Sequence, residues 1–375
     1  MKNILSRFLV SQIIVMLCLS SISVLNVRAE QKTIVVPDDF STIQAAINSA
    51  SDGDTIFVKE GIYNEGLELN KSLSLIGENK ETTIIDGSKA DIFAVIIFSN
   101  WVNVSGFTIR NAPEKGIELW HVKNCKISGN IITNSINGVS LVQSFHNIIE
   151  ANIVSSNKYS GIRISGSAYE PNYNIINHNE IENNDVGLDF FQGWNNAVYR
   201  NNIVNNRWSL NLDDSSNNYF IENNVTNPTI TLRFTFARNN TFWHNNFGGK
   251  IQFLDRGWLL PPWIANSSIN FWDIDREGNY WSDLSGIDNN QDGIWDSPYV
   301  IYGNNTDNYP LIEPAHVSEM VIPEFLSFPT PIPDVSPTPT PLPPIRFYNP
   351  YLILFGSTLL LIALGILAYL KKYRK

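Results

Sequence analysis

The 375-residue chain is 43% hydrophobic and 17% charged, enough apolar material for a sizeable core and too much for a chain disordered throughout. Its formal charge of −10 excludes binding nucleic acid through phosphate neutralisation, which needs clustered Lys and Arg; residues 30–345 hold no such cluster. Of Cys18 and Cys125 only the second lies beyond the leader described next, so the mature chain forms no intrachain disulfide.

Residues 1–29 place Lys2 and Arg7 before an apolar run and end in Val27-Arg28-Ala29, the pattern of a cleaved secretory signal peptide. The stretch "DDFSTIQAAINSASDGDTIFV" (38–58) then predicts a helix. Ser41 and Gln44 are spaced as a capping box, and Ile43, Ala46 and Ile47 form one apolar face that would lid a solenoid. "TIFV", "LELNKSLSLIG" and "TTIIDG" supply the first irregular coils.

A repeat follows: "ISGNII", "IEANIV", "INHNEI", "YRNNIV", "IENNVT" and "WHNNFG" align on Asn130, Asn152, Asn179, Asn202, Asn224 and Asn246. The steps are 22, 27, 23, 22 and 22 residues, and about nine residues after each asparagine comes a short alternating strand. A period in the low twenties, built of strands and turns, predicts an all-β parallel solenoid. Its consensus is not that of a leucine-rich horseshoe. Asparagine at one fixed place per coil tolerates the bend, and its amide can bond to the amides stacked above and below, about 4.8 Å apart. These six asparagines are therefore expected to form a buried ladder.

Trp258, Trp263, Trp272 and Trp281 follow the last coil and are expected to close its end. Beyond them, residues 315–347 are a Pro-rich linker whose "FPTPIPDVSPTPTPLPPI" (328–345) favours an extended spacer. Residues 348–371 contain "YLILFGSTLLLIALGILAYL" (351–370), 20 residues without a charge, and residues 372–375 are basic. This is the pattern of a single transmembrane helix with its C-terminus in the cytoplasm. The organisation expected is a signal peptide (1–29), an extracellular β-solenoid (30–314), a linker, a membrane anchor and a short cytoplasmic tail.

"TIVVPDDFSTIQAAINSASDGDTIFVKEGIYNEGLELNKSLSLIGENKETTIIDG" resembles the opening of NosD-like right-handed parallel β-helix proteins, within the group of carbohydrate-binding proteins and sugar hydrolases. "GNYWSDLSGIDNNQDGIWDSPYVIYGNNTDNYPLIEP" (278–314) resembles the ending of archaeal cell-surface members, so the resemblance covers roughly residues 32–314. It implies a right-handed parallel β-helix and, through the family name, raises copper.

Residues two apart on a strand share a face. One polar column is thus expected at Glu118, Ser140, Arg163, Asp189, Asn211, Arg233 and Gln252, and a second at Trp120, Val142, Ser165, Phe191 and Asp213. Charged groups beside aromatic rings suit sugar contact, so Glu118, Trp120, Arg163, Phe191, Asn211, Arg233 and Asp255 are candidate substrate-binding residues. The partner expected is a polysaccharide or surface glycan. Asp189, Asp213 and Asp214 are candidate catalytic carboxylates of a polysaccharide hydrolase or lyase, with Asp189 and Asp213 roughly 8 Å apart, the spacing of an inverting pair.

Asp288, Asn290, Asp292, Ile294 and Asp296 are spaced like the first part of a calcium loop, although Tyr299 stands where a bidentate acid would close it. His178 and His244 hold corresponding places three coils apart, too far to share a copper ion, and His121, His146 and Cys125 show no ligand spacing. N-glycosylation sequons begin at Asn70, Asn103, Asn224, Asn239, Asn266 and Asn304. Asn224, as a ladder position, is expected to be buried and unmodified.

Overall fold

The computed structural model describes residues 31–167, 170–226, 228, 230–249, 253–255 and 268–315. The predicted signal peptide, Pro-rich linker and membrane helix, and also Gln252, Trp258, Trp263 and Asn266, lie outside the described residues. No described helix is long and apolar enough to cross a membrane.

Each coil contributes three short strands, one to each of three parallel sheets of 10, 9 and 10 strands. Sheet I runs from Thr33–Val36 to Thr241–Trp243, sheet II from Leu67–Leu69 to Phe253–Asp255, and sheet III from Gly61–Tyr63 to Tyr280–Trp281. One coil reads Lys126–Ser128 in sheet I, Ile131–Thr133 in sheet III and Asn137–Val142 in sheet II. The chain is a parallel β-solenoid of the right-handed type. Among the described residues only the pair Tyr299–Tyr302 and Asn305–Asp307 forms an antiparallel sheet.

From Asn103–Ser105 onward the three-residue strands of sheets I and III each bury their middle residue, as at Ile127 and Ile132, and the coil interior becomes stacked columns of Ile, Val, Leu and Phe. Stacking is obligatory, since a single coil leaves these residues exposed above and below. Sheet II strands are longer and carry an irregularity at glycine. A Cβ on Gly138 would stand 2.5 Å from Val154 Cγ1, and one on Gly161 2.8 Å from Ile181 Cγ2, so the glycine and the residue after it both turn inward. Lys115 and Glu118, three apart on either side of Gly116, thereby share the outer face and form an ion pair.

Asparagine builds three ladders, one at each main corner. At the turn from sheet I to sheet III the column is Asn130, Asn152, Asn179, Asn201, Asn223, Asn245 and Asn279, ending on Asp307. A second column links Asn147, Asn174, Asn196, Asn218, Asn240, Asn270 and Asn305, and a third links Asn157, Asn184 and Asn206. Each rung is built alike. The Asn201 Oδ1 accepts both the backbone N–H and the side-chain amide of Asn179 at 3.0 Å, while its own Nδ2 donates to the carbonyl of Ile176. Corner amides that cannot join a strand ladder thus find partners without water.

The expected ladder is correct at Asn130, Asn152 and Asn179 and one residue late thereafter. Asn202, Asn224 and Asn246 begin the sheet III strands and are half-buried on the outside. Asn224 Nδ2 donates to Asn202 Oδ1 at 2.7 Å, and Asn246 is held by Ala315, so the burial expected for Asn224 does not hold.

Helix α1 (Ile43–Ser49) buries Ile43, Ala46 and Ile47 in the main core and packs on the first strands of sheets I and II. Its N-cap is Thr42, whose Oγ1 accepts from Ala45 N at 3.2 Å; Ser41 is not the cap. Gln44 does not close a capping box because Glu65 accepts from the amides of Ile43 and Gln44, and Gln44 turns to Asn48 and Glu68.

At the other end, Phe220, Phe242 and Trp272 stack with centroids 4.8 and 4.3 Å apart, and Phe247, Trp281 and Tyr299 stack at 4.5 and 4.3 Å. Trp272 and Trp281 are buried there, as expected of closing residues. Asp307 ends the first ladder, accepting from Asn279 N at 2.7 Å and Trp281 Nε1 at 2.8 Å. Burial pushes its carboxyl up to about 6 from 3.8, against the lowering effect of those donors.

The sign of the linkage follows from the raised value: Asp307 favours the folded state fully below pH 4, and that contribution is lost as pH rises through 6. A shift of this size corresponds to about 3 kcal/mol. Urea unfolding at pH 4 and pH 7 should therefore show a fall in stability across this range about 3 kcal/mol smaller in Asp307→Asn than in the wild type. An identical fall in both would reject the assignment.

Candidate functional site

The backbone register of sheet II sets out its outer face. Glu118, Ser140, Arg163, Asp189, Asn211 and Arg233 pair in sequence as one column. Leu254, and not the expected Gln252, pairs next with Arg233, while Asp255 pairs with Phe234 and so leaves the polar column. Trp120, Val142, Ser165, Phe191, Asp213 and Thr235 form the second column.

A third outer column, missed by simple alternation, lies on the other side of the glycine irregularity and includes Lys115, Asn137 and Trp208. Its only sequence signal was a glycine or serine one residue after each of these positions.

The polar column was expected to be exposed, yet Glu118, Ser140, Asp189 and Asn211 are buried. Glu118 pairs with Lys115 and Asp189 with Asn211, and taller side chains stand in the columns beside them. Asp189 Oδ2 accepts from Arg163 Nη1 at 2.9 Å and its Oδ1 from Asn211 Nδ2 at 2.6 Å. The Arg163 guanidinium lies 5.8 Å from the Tyr159 ring centroid, and that of Arg233 4.3 Å from Trp208. Burial, with the nearby Asp189 charge, holds the Tyr159 phenol above its ordinary value. Trp120 and Phe191 remain 41% and 42% exposed on the opposite margin. The result is a trough with a polar, mutually neutralised floor and aromatic rims.

The three candidate catalytic carboxylates are placed differently. Both oxygens of Asp189 are engaged, so it is positioned to orient Arg163. Asp213 is half-buried between Phe191 and Thr235 in the second column. Asp214 lies past the strand in the corner, with φ +46°, where its Oδ2 accepts from Gln192 and its carbonyl from Trp194 Nε1.

In the 288–296 loop the side-chain oxygens face the loop's own amides. Asp288 accepts from the backbone of Gln291, Asp292 and Gly293, Asp292 from Ile294 N, and Asp296 from Asn289 N. Gly293 has φ +85°, and Asn290 bonds to Asp292. Among the described residues no group of three or more His, Cys, Asp or Glu is placed to hold one metal ion. His178 packs edge-on to Tyr199, and His244 is buried on Trp243 with Nε2 2.8 Å from Glu277 Oε2. Cys125 fills a ladder place beside Asn147, and burial pushes its thiol up to about 12.

These features define a class: a parallel β-helix stapled by corner asparagines, with one outer sheet shaped into a polar trough. The model of the family described as periplasmic copper-binding protein (NosD) matches residues 47–286, and the chain belongs to that family. A cell surface glycoprotein of Methanothermus fervidus is 32% identical over 125 residues, covering 33% of this chain and 21% of its own length. Among solved structures, an alginate lyase from Paenibacillus sp. str. FPU-7 matches at 14% identity with a TM-score of 0.44, covering 60% of this chain and 95% of the lyase. Pectate lyase Pel9A matches at 11% identity with a TM-score of 0.46, covering 60% and 78%.

Proposed function

We propose that the protein is a membrane-anchored extracellular β-helix that binds a surface carbohydrate, or helps to scaffold a surface layer, through the outer face of sheet II. The observation that carries this reading is the trough itself, with polar partners for hydroxyl groups between Tyr159 and Trp208 on one rim and Trp120 and Phe191 on the other. The family membership and the relative described as a cell surface glycoprotein support a surface location. Anchoring rests on the apolar run 351–370, and helix α1 would cap the N-terminal coil.

Titration of the full chain in detergent with neutral and acidic polysaccharides, including glycans of its own envelope, tests the reading. Trp120→Ala and Phe191→Ala should each weaken binding about tenfold, the loss of one ring contact, at unchanged melting temperature. Unaltered affinity in both would remove the trough from consideration. A hydrolase or lyase is the second reading, favoured by Asp213 standing beside exposed Phe191. It requires release of reducing ends or unsaturated products that Asp213→Asn abolishes while the fold is kept.

We also propose calcium as a stabiliser of the 288–296 loop, since three amides already fix Asp288 and the oxygens of Asn290 and Asp292, with the Ile294 carbonyl and Asp296, supply a hard donor set. Millimolar calcium should then raise the melting temperature and a chelator lower it. Equal values would leave the turn's own hydrogen bonds as the purpose of these side chains.

A further inference from the structure

We propose that a recess at the corner between sheets II and I is a saccharide site, filled by an N-linked glycan carried on Asn239. Trp194, Ser216 and Arg238 stack on successive coils. A small serine between two large side chains leaves a gap, and a cavity of about 420 Å³ opens there, lined by Trp194, Ser216, Asn217, Arg238 and Asn239. Two coil steps separate Trp194 from Arg238 by about 10 Å, room for a flat ring between them. The indole is fixed by its Nε1–H, which donates to the Asp214 carbonyl at 2.9 Å, so its face is held ready for stacking. Arg238 is exposed, and with two carboxamides it supplies donors and acceptors suited to sugar hydroxyls or a sugar carboxylate.

The chain's own sequon identifies the occupant. Asn239-Asn240-Thr241 places its first residue on the recess wall. Asn240 takes the ladder position, which frees Asn239 to sit at φ +55°, exposed and with no side-chain hydrogen bond among the described residues. Other sequons differ. Asn103 donates to Ser74 and Asn224 to Asn202, and Asn70 and Asn304 are exposed and lie outside this recess.

This inference rests on the extracellular reading above. Its test is glycopeptide mass spectrometry of the protein from its native membranes, combined with melting of Thr241→Val, which removes the sequon but keeps Asn239, and Thr241→Ser, which keeps both. The same two variants made without N-glycosylation give the intrinsic effect of the substitution. Expected are a glycan on Asn239 and, after that correction, a melting point lower by about 2–4 °C in Thr241→Val. Trp194→Ala should abolish the difference. A bare Asn239 with glycan on Asn70 or Asn304 overturns the recess and leaves the extracellular reading standing. No glycan anywhere, with the protein shielded from protease on intact cells, overturns both. A melting difference that survives Trp194→Ala overturns the seating of the glycan.

Discussion

Asn201→Ala is expected to lower the unfolding free energy by about 3–5 kcal/mol, whereas Asn202→Ala, one residue away, should cost less than about 1 kcal/mol. Removing the Asn201 side chain strands the backbone N–H of Asn179, takes one of two acceptors from Asn179 Nδ2 and one of two donors from Asn223 Oδ1, and takes a donor from the carbonyls of Ile176 and Tyr199. Apart from the partly buried Tyr199 carbonyl these groups are shut off from water, so each bond lost there leaves a desolvation cost. Asn202 is half-buried on the outer side of its strand and shares one side-chain bond with Asn224. Urea unfolding of the two variants separates the cases, and equal losses would contradict the ladder register. Because a solenoid is stabilised by neighbouring coils, amide exchange should show the Asn201 damage centred on the coils containing Asn179 and Asn223.

Trp281→Ala should be comparably severe, at about 4–5 kcal/mol. The indole lies between Phe247 and Tyr299 and is almost wholly buried, so truncation opens a cavity at the end of the core. It also removes the N–H that Asp307 accepts, leaving that buried carboxyl harder to ionise. Trp281→Phe keeps a ring and should cost only about 1–2 kcal/mol, mainly from the lost hydrogen bond. Thermal melting of both variants at pH 5 and pH 7 checks this, with the larger loss in each expected at pH 7. A small loss in Trp281→Ala would mean that the end of the helix is closed by other residues.

The coil period was legible because inward Ile, Val and Phe recur with short strands, and the polar column of sheet II followed from alternation alone. The ladder slipped where asparagines come in pairs. In "GNII" the ladder residue Asn130 directly precedes an apolar strand residue, but in "YRNNIV" the strand itself begins with Asn202, and the alignment took it for the corner. The inward residue settles the matter: Ile132 follows Asn130 by two, as Ile203 follows Asn201. The corrected steps are 22, 27, 22, 22 and 22, and the odd interval of 23 disappears.

The third column of the trough could not be read by alternation, because the glycine irregularity puts two successive residues inward and resets the face. The burial of Asp189 was equally hidden. It depends on Arg163 and Asn211 arriving from neighbouring coils, 26 and 22 residues away in the chain.

The most direct measurement is hydroxyl-radical footprinting of the full-length protein with the glycan that binds it best. If the carbohydrate lies on the outer face of sheet II, Trp120, Tyr159, Phe191 and Trp208 lose labelling together, while Trp101 and Phe271, exposed elsewhere on the solenoid, are labelled as before. Unchanged labelling of those four side chains under saturating glycan would place the carbohydrate elsewhere and contradict the account.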